Sequence, residues 1–245
     1  MIDVKKDFKI KLSEELAYWV GVVQSDGSFS QRRRKDRKEP GYVISLGVGK
    51  RSLPMLYKFK KLCKTLFNRD SKIYKRRNRE AWDFKINVKR LLPFLKDLKI
   101  QFNDPPKPPY WCASSPELFG SYLAGLIDGD GSVRIKRKKY PQCMIMIISG
   151  KSQHELANLI RKFLNCAVMI TQYEEDRILD GRIIHGKWYE LEFLVSSKNY
   201  EFVKKHVLPN LIITHKKEKI EKYISEKYKK MNFNKEILWG CSLAT

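Results

Sequence analysis

The sequence predicts an α+β fold made of two pseudo-symmetric repeats, each with the element order α-β-β-α-β-β-α around an antiparallel sheet. Three observations lead to this expectation. The ten residues 19–28 recur 104 residues later at 123–132, and both segments end in Asp-Gly-Ser. The same order of helix and strand signals follows each segment. A run with four prolines in five residues, 105–109, lies between the two halves.

The proline-rich run divides the chain, because proline can form neither the interior of a helix nor a central strand. We therefore expect an N-terminal repeat over residues 1–103, a linker over 104–112 and a C-terminal repeat over 113–245.

Each expected element follows from its local pattern of apolar residues and turn residues. In the first repeat we expect strands at 28–35 and 42–48, a helix capped by Ser52, strands at 72–77 and 81–88 around a turn at Asn78, and a helix at 89–98. In the second we expect a helix at 116–127, strands at 133–138 and 142–149, a helix at 153–164, strands at 167–174 and 187–195 around a loop with Gly181 and Gly186, and helices at 198–208 and 216–230.

The two copies of the repeated segment each carry a stripe of small residues. These recur in steps of four, at Ala17, Gly21 and Ser25 and again at Ser121, Gly125 and Gly129. A step of four keeps residues on one helix face, and a face of small residues lets two helices approach closely. If the stripes pack together at Gly21 and Gly125, the helices end side by side and bring Asp26 and Asp130 to one place. Two adjacent carboxylates repel unless a cation lies between them, so the duplication predicts a metal site.

The two segments resemble the motif of the LAGLIDADG homing endonucleases, with both copies in one chain. The second copy follows the family pattern closely, whereas the first departs from it at Trp19, Val20 and Gln24 but keeps Asp26. The resemblance implies that the two sheets form a DNA-binding saddle joined at the paired motif helices. It further implies a metal-dependent endonuclease that cuts a long asymmetric site across the minor groove, leaves 3′ overhangs and promotes the mobility of its own gene in an intron.

The resemblance also assigns roles to particular residues. Two or three Mg²⁺ ions would be shared by Asp26 and Asp130, with the backbone carbonyls of Ser25 and Gly129 completing the ligands. The family places basic residues around the active site, and here these would be Lys50 and Lys151, which follow the second strand of each repeat, and Lys107 and Lys216, near the end of each repeat. For Asp128, a helix-capping role and a supporting role behind the ligands stay open.

The composition favours a nucleic-acid partner. The chain has 50 Lys+Arg against 27 Asp+Glu, and the net charge of +23 suits binding to phosphates. Residues expected on the DNA-facing strands and turns are Arg32, Arg33, Arg34, Lys35, Arg37, Arg76, Arg77, Arg79, Lys85, Asn87, Arg134, Lys136, Arg137 and Lys138. Strands in a major groove can read bases through such side chains. A solvated or ribosome-associated basic surface would have the same charge.

Several other classes of function are disfavoured. The segment 128–132 resembles a calcium loop, but Val133 stands where an EF-hand needs glycine. Five cysteines without close pairing indicate a reducing compartment, and no apolar run has the length of a signal peptide or a membrane span, so we expect an intracellular protein without a membrane partner.

An RNA maturase that binds intron RNA, or a non-cutting DNA-binding regulator, remains the alternative function. Because the two halves differ in sequence, we expect a monomer.

Overall fold

The computed structural model describes residues 11–32, 40–102, 105–179 and 182–240, and they form the two repeats that the sequence predicts. In the N-terminal repeat the elements are α1 (Glu14–Ser25), β1 (Gly27–Arg32), β2 (Gly41–Gly49), α2 (Leu53–Phe67), β3 (Ile73–Lys75), β4 (Ala81–Asn87) and α3 (Leu92–Asp97). In the C-terminal repeat they are α4 (Pro116–Asp128), β5 (Gly131–Lys136), β6 (Gln142–Ser149), α5 (His154–Leu164), β7 (Val168–Leu179), β8 (Arg182–Val195), α6 (Tyr200–Phe202) and α7 (Thr214–Gly240).

Each repeat folds around one four-stranded antiparallel sheet, and the two sheets have the same strand order. That order is β1-β2-β4-β3 in the first and β5-β6-β8-β7 in the second. In the first sheet Ile44 and Leu46 pair with Ile86 and Phe84, and all four side chains are buried on the helix-covered face. The α+β class with two equivalent repeats is therefore confirmed.

The hairpin of β7 and β8 is longer than the sequence indicates. We expected a loop containing Gly181 and Gly186, but both strands continue through most of it and Gly186 pairs with Glu175 inside the ladder. The ion pair between Lys187 and Glu174, at 3.4 Å, lies directly across the two strands. Such cross-strand pairs stabilise a hairpin whose residues individually have the composition of a loop.

Three local expectations were also wrong. Ser52 does not cap α2 with its side chain, because a 3₁₀ turn over Lys50–Ser52 leads into the helix. On β5 the alternation of Val133 and Ile135 with charged residues predicts two buried apolar side chains, but only Val133 is buried and Ile135 is 45% exposed. The helix expected at 198–208 is a short α-helical turn, α6, that continues as a π-helical turn over Val203–Val207.

The departure of the first motif from the family pattern at Trp19 has a structural explanation. The Trp19 ring is fully buried, stacks on Phe59 with 5.8 Å between ring centroids, and meets the edge of Phe67 at 4.8 Å. Its indole N–H donates to the Cys63 sulfur at 3.3 Å. A large ring at this position therefore joins α1 to α2 in the core of the N-terminal repeat.

Among the described helices, none is both long enough and apolar enough to cross a bilayer.

Candidate active site

The two motif helices begin with the same kind of N-cap and end at equivalent positions before the following strand. Ser13 caps α1 and Ser115 caps α4, and each hydroxyl accepts a backbone N–H three residues on at 3.3 Å. Each helix then stops next to its aspartate: Asp26 directly follows α1, and Asp130 directly precedes β5. Both carboxyl-bearing residues are half-buried. The two aspartates that the sequence repeat aligns therefore have equivalent positions at the C-terminal ends of the two helices.

The helices approach each other backbone to backbone at Gly21 and Gly125. A Cβ added to either glycine would lie 3.1 Å from the Cα of the other and 3.0 Å from a backbone nitrogen of the facing helix. Each added atom would lie even closer to a carbonyl oxygen, that of Tyr122 or Tyr18 respectively. Only glycine fits at these two positions, which is why the helix ends can lie side by side.

The C-terminal ends of the two helices are in contact. A Cβ added at Gly129 would overlap the side chain of Ser25 and would lie 3.5 Å from the backbone nitrogen of Asp26. Burial raises the pKa of the Asp26 carboxyl above its ordinary value, and the positive charge of Lys216 partly opposes this. A carboxylate in such a place favours a cation close by.

Lys216 is the basic side chain that the structure places at this centre. Its ammonium donates to the carbonyl oxygens of Ile127, Asp128 and Gly129 at 2.7, 2.8 and 3.1 Å, so it caps the end of α4. Burial lowers the pKa of Lys216, while the carboxylates of Asp128, Asp26 and Asp130 raise it. Lys216 is therefore electrostatically coupled to both motif aspartates.

Asp128 anchors the second repeat from inside the helix pair. Its carboxylate is fully buried and accepts the Tyr18 hydroxyl at 2.8 Å and the backbone N–H groups of Ile212 and Ile213 at 2.9 and 3.0 Å. Burial raises the pKa of Asp128, and these hydrogen bonds counteract the rise. Asp128 thus fixes the segment that leads into Lys216 and does not face the motif aspartates with a free oxygen.

Gln24 has the equivalent place in the first repeat and likewise accepts a tyrosine hydroxyl, but it donates to backbone carbonyls where Asp128 accepts backbone N–H groups. Its amide oxygen accepts the Tyr122 hydroxyl at 2.6 Å, and its amide nitrogen donates to the carbonyls of Gln101 and Lys107 at 2.8 and 2.9 Å. Tyr18 and Tyr122 are 104 residues apart, the spacing of the motif itself. That spacing was the signal that could have revealed this tyrosine pair, which the sequence analysis did not single out.

The other three candidate lysines are paired elsewhere or exposed. The Lys107 ammonium pairs with Glu155 at 2.9 Å, although its backbone is held near α1 by Gln24. Lys50 directly follows β2, Lys151 lies two residues after the end of β6, and both are exposed. Because Gly27 pairs with Leu46 and Gly131 with Ile147, these lysines lie at the end of each sheet where β1 and β5 begin.

The face of each sheet opposite the helices is open and carries most of the expected DNA contacts. Exposed candidates are Arg77, Arg79, Lys85, Asn87, Arg134, Lys136, Arg137 and Lys138. Arg76 is also exposed, and it forms a bidentate pair with Asp83, with its Nε 2.9 and 3.0 Å from the two carboxylate oxygens. Arg32 ends β1, whereas Arg33, Arg34, Lys35 and Arg37 lie outside the described residues.

The donor groups at the motif ends fit a hard divalent cation. Within the described residues, no three histidine, cysteine, aspartate or glutamate side chains cluster so as to hold a metal. A cation here would be bound by the carboxylates of Asp26 and Asp130 with a backbone carbonyl such as that of Ser25. The Gly129 carbonyl, the fourth expected ligand, already accepts the Lys216 ammonium. All of these are oxygen ligands, which Mg²⁺, Ca²⁺ and Mn²⁺ prefer over softer metals.

Lys58 links the two repeats behind the site and gives the protein a testable pH dependence. Its ammonium donates to the Asn210 carbonyl at 2.6 Å and lies 3.5 Å from the centroid of the Tyr18 ring. Burial lowers the pKa of Lys58 from 10.5 to about 8. The unfolded chain therefore binds more protons between these values, so this group makes the free energy of unfolding rise with pH across that window.

We expect Lys58→Met to remove this rise. Urea unfolding of the wild type and the variant at several pH values between about 7.5 and 10.5 measures the difference directly. Lys61→Met, which changes an exposed lysine of the same helix, is the matched control. Equal pH slopes for the Lys58 and Lys61 variants would contradict the assignment.

Comparison with known proteins finds similarity at the level of structure. No protein-family model and no curated protein matches the chain. A structure of the homing endonuclease I-DmoI matches with a TM-score of 0.54 and 14% identity, covering 80% of this chain and 96% of that one. The LAGLIDADG homing endonuclease I-SmaMI bound to cleaved DNA matches with a TM-score of 0.54 and 17% identity, covering 91% of each chain. I-DmoI in complex with DNA and Mn matches with a TM-score of 0.52 and 14% identity over 80% and 98%. The two sheets of equal strand order, joined at paired motif helices, thus give this chain the two-repeat fold of the single-chain LAGLIDADG homing endonucleases.

Proposed function

We propose that the chain is a site-specific endonuclease of double-stranded DNA. The observation that supports this most is the contact of the two motif helix ends, where Gly129 lies against Ser25 and the backbone of Asp26. A protein that only binds DNA has no need for two carboxylates at the junction of its repeats. Asp26 and Asp130 are the residues we assign to metal binding and catalysis.

The chemistry proposed for this centre is hydrolysis of a phosphodiester in each strand. Bound Mg²⁺ would supply a nucleophilic water and neutralise charge that develops at phosphorus. Asp26 and Asp130 would hold the cation, and the Lys216 ammonium, which caps the end of α4, interacts electrostatically with both carboxylates. Lys50 and Lys151 lie at the same ends of the sheets, where an ammonium group can contact a phosphate or orient water.

The open faces of the two sheets form the proposed DNA-binding saddle. In this arrangement the strands lie in the major groove on either side, and the motif aspartates face the minor groove between them. Cuts across the minor groove would leave short 3′ overhangs. We further propose that cleavage serves the mobility of the chain's own gene, carried in an intron. Structures of I-DmoI in complex with target DNA in the presence of Mg and with Ca agree with a DNA partner and a divalent cation here.

The alternative is a protein of the same fold that binds intron RNA as a maturase, or binds DNA as a regulator, without cutting. The altered first motif is the feature of the sequence that is compatible with this alternative. Gln24, however, binds the linker and Tyr122 and is nearly buried, at 7% exposure. Its replacement of the usual acid therefore has a structural reason and does not by itself indicate lost catalysis.

A randomised duplex library tests the proposal. The protein is incubated with the library in Mg²⁺, and the ends of any cut molecules are sequenced; a parallel sample contains EDTA. We expect cut ends to converge on one long asymmetric site, and only when Mg²⁺ is present. Specific binding without cleavage in Mg²⁺ would instead support the maturase or regulator.

The same proposal predicts a monomer, since one chain supplies both motif helices. Light scattering in dilute solution, with and without a bound target duplex, should give the mass of one chain of 29.0 kDa and of one chain per duplex. A dimer on the DNA would contradict the single-chain arrangement.

A further inference from the structure

The open faces of the two sheets have different chemistry. On the first sheet Ser28 pairs with Ser45, and Ser45 pairs in turn with Lys85. The two serine hydroxyls are 2.7 Å apart. Val43 pairs with Asn87 on the same face. The N-terminal half of the saddle therefore presents mainly hydroxyl, ammonium and amide groups.

The equivalent face of the second sheet carries more apolar side chains between its charged ones. Met144 and Ile148 of β6 and Met169 of β7 lie on it, and we call these three residues the apolar strip. Met146 lies between them in β6 and is fully buried, whereas Ile148 is 37% and Met169 56% exposed. Arg134 of β5 is next to Met144 in the ladder, so the strip continues directly into the basic strand at the edge of the sheet.

Two glutamates accompany the apolar strip. Glu192 pairs with Met146 on one side and Met169 on the other, and Glu190 pairs with Ile148. Glu192 is only 9% exposed, and Lys136 reaches to 3.9 Å of its carboxylate across the intervening strand. The Lys136 ammonium partly offsets the negative charge of Glu192, which would otherwise repel DNA phosphates. The strip therefore stays usable as part of a DNA-binding face.

Ile148 and Met169 expose apolar surface on a face that also carries charged side chains, and a contact that covers this surface is favourable. The major groove offers one apolar group to such side chains, the C5 methyl of thymine. We propose that the C-terminal half of the target is recognised through thymine methyl groups that contact Met144, Ile148 and Met169, whereas the N-terminal half is recognised through polar contacts. This inference rests on the proposed function, because it takes the open sheet faces as the DNA-binding faces.

Replacing thymine by uracil removes only the C5 methyl and tests the inference. Each thymine of the selected site is replaced in turn, and binding is measured by fluorescence anisotropy with Ca²⁺ in place of Mg²⁺. We expect affinity to fall about fourfold for each contacted methyl, which is the factor that corresponds to the burial of one methylene group. The losses should be confined to one half of the site. The variants Arg134→Ala and Lys85→Ala identify which half of the site each repeat contacts. Each variant should lose sequence preference in one half only, and the two halves should be opposite.

A substitution in the apolar strip tests whether the uracil effects arise from contacts with it. Met169→Gln keeps the length of the side chain but makes its end polar, so at least one thymine position should no longer distinguish thymine from uracil. Tyr57→Gln makes the same change of polarity at an exposed side chain of α2, on the helix-covered side of the first sheet, and should leave the pattern of uracil effects unchanged. Uracil effects of equal size in both halves, or none at all with specific binding intact, would overturn the inference alone. Loss of sequence-specific DNA binding altogether would overturn the proposed function and this inference with it.

Discussion

Replacing Asp26 or Asp130 by asparagine should abolish double-strand cleavage of the selected target while binding is kept. Asparagine has nearly the same shape but lacks the charge that holds a divalent cation. We expect the cleavage rate to fall by at least about 10²–10³-fold, the cost of losing one preorganised charge contact in an active site. Cleavage of a labelled duplex and binding in Ca²⁺ measure the two quantities separately.

The same variants make a distinct prediction for stability. Because burial raises the pKa of Asp26, its charged form is disfavoured in the folded protein. Asp26→Asn should therefore leave the free energy of unfolding unchanged or raise it.

For the cleavage assay, Asp70→Asn, at an exposed ion pair with Lys60, is the control and should cleave normally. If an Asp26 variant cleaved at the wild-type rate, the assignment of the catalytic centre would be wrong.

Gly125→Ala should be among the most destabilising single substitutions in this protein. Alanine is the better helix former by about 1 kcal/mol, which alone would stabilise α4. The added Cβ, however, would lie 3.0 Å from the backbone nitrogen of Val22 and closer still to the carbonyl of Tyr18. Backbone atoms cannot move aside as a flexible side chain can, so separating the helices should dominate. We expect the free energy of unfolding to fall by about 3 kcal/mol, at the upper end of the cost of overpacking a core.

The chain offers a matched control at another glycine. A Cβ added at Gly49 would have its nearest neighbour, the Glu80 carbonyl oxygen, at 4.0 Å. Gly49→Ala should therefore change the unfolding free energy by less than about 0.5 kcal/mol. Urea denaturation of both variants measures the difference. Equal effects of the two substitutions would mean that α1 and α4 are not packed as closely as described.

The repeat architecture and the meeting of the motif ends were predictable from sequence. The spacing of 104 residues aligned Gly21 with Gly125 and Asp26 with Asp130, and small residues in steps of four on one helix face permit a close helix contact. The alternation on β4 also indicated the correct buried face, since Phe84 and Ile86 are buried while Lys85 and Asn87 are exposed. These features depend on local periodicity, which the sequence carries directly.

Features that depend on distant partners were not predictable in the same way. The segment around Gly186 has a loop-like composition, and only its pairing with β7 makes it a strand. The interpretation of Asp128 stayed open because its partners are the backbone N–H groups of Ile212 and Ile213, more than 80 residues away. Lys107 and Lys216 matched the same family position, yet one pairs with Glu155 and the other caps α4. Sequence position alone did not distinguish them.

The central claim is that the two motif ends form one centre that acts on both strands of a single DNA molecule. Mapping both strand breaks in individual product molecules of the selected site tests this most directly. The account predicts two breaks at fixed positions, offset across the minor groove to leave 3′ extensions, and both absent in EDTA. Breaks confined to one strand, breaks offset in the 5′ direction, or breaks that persist without a divalent cation would contradict it.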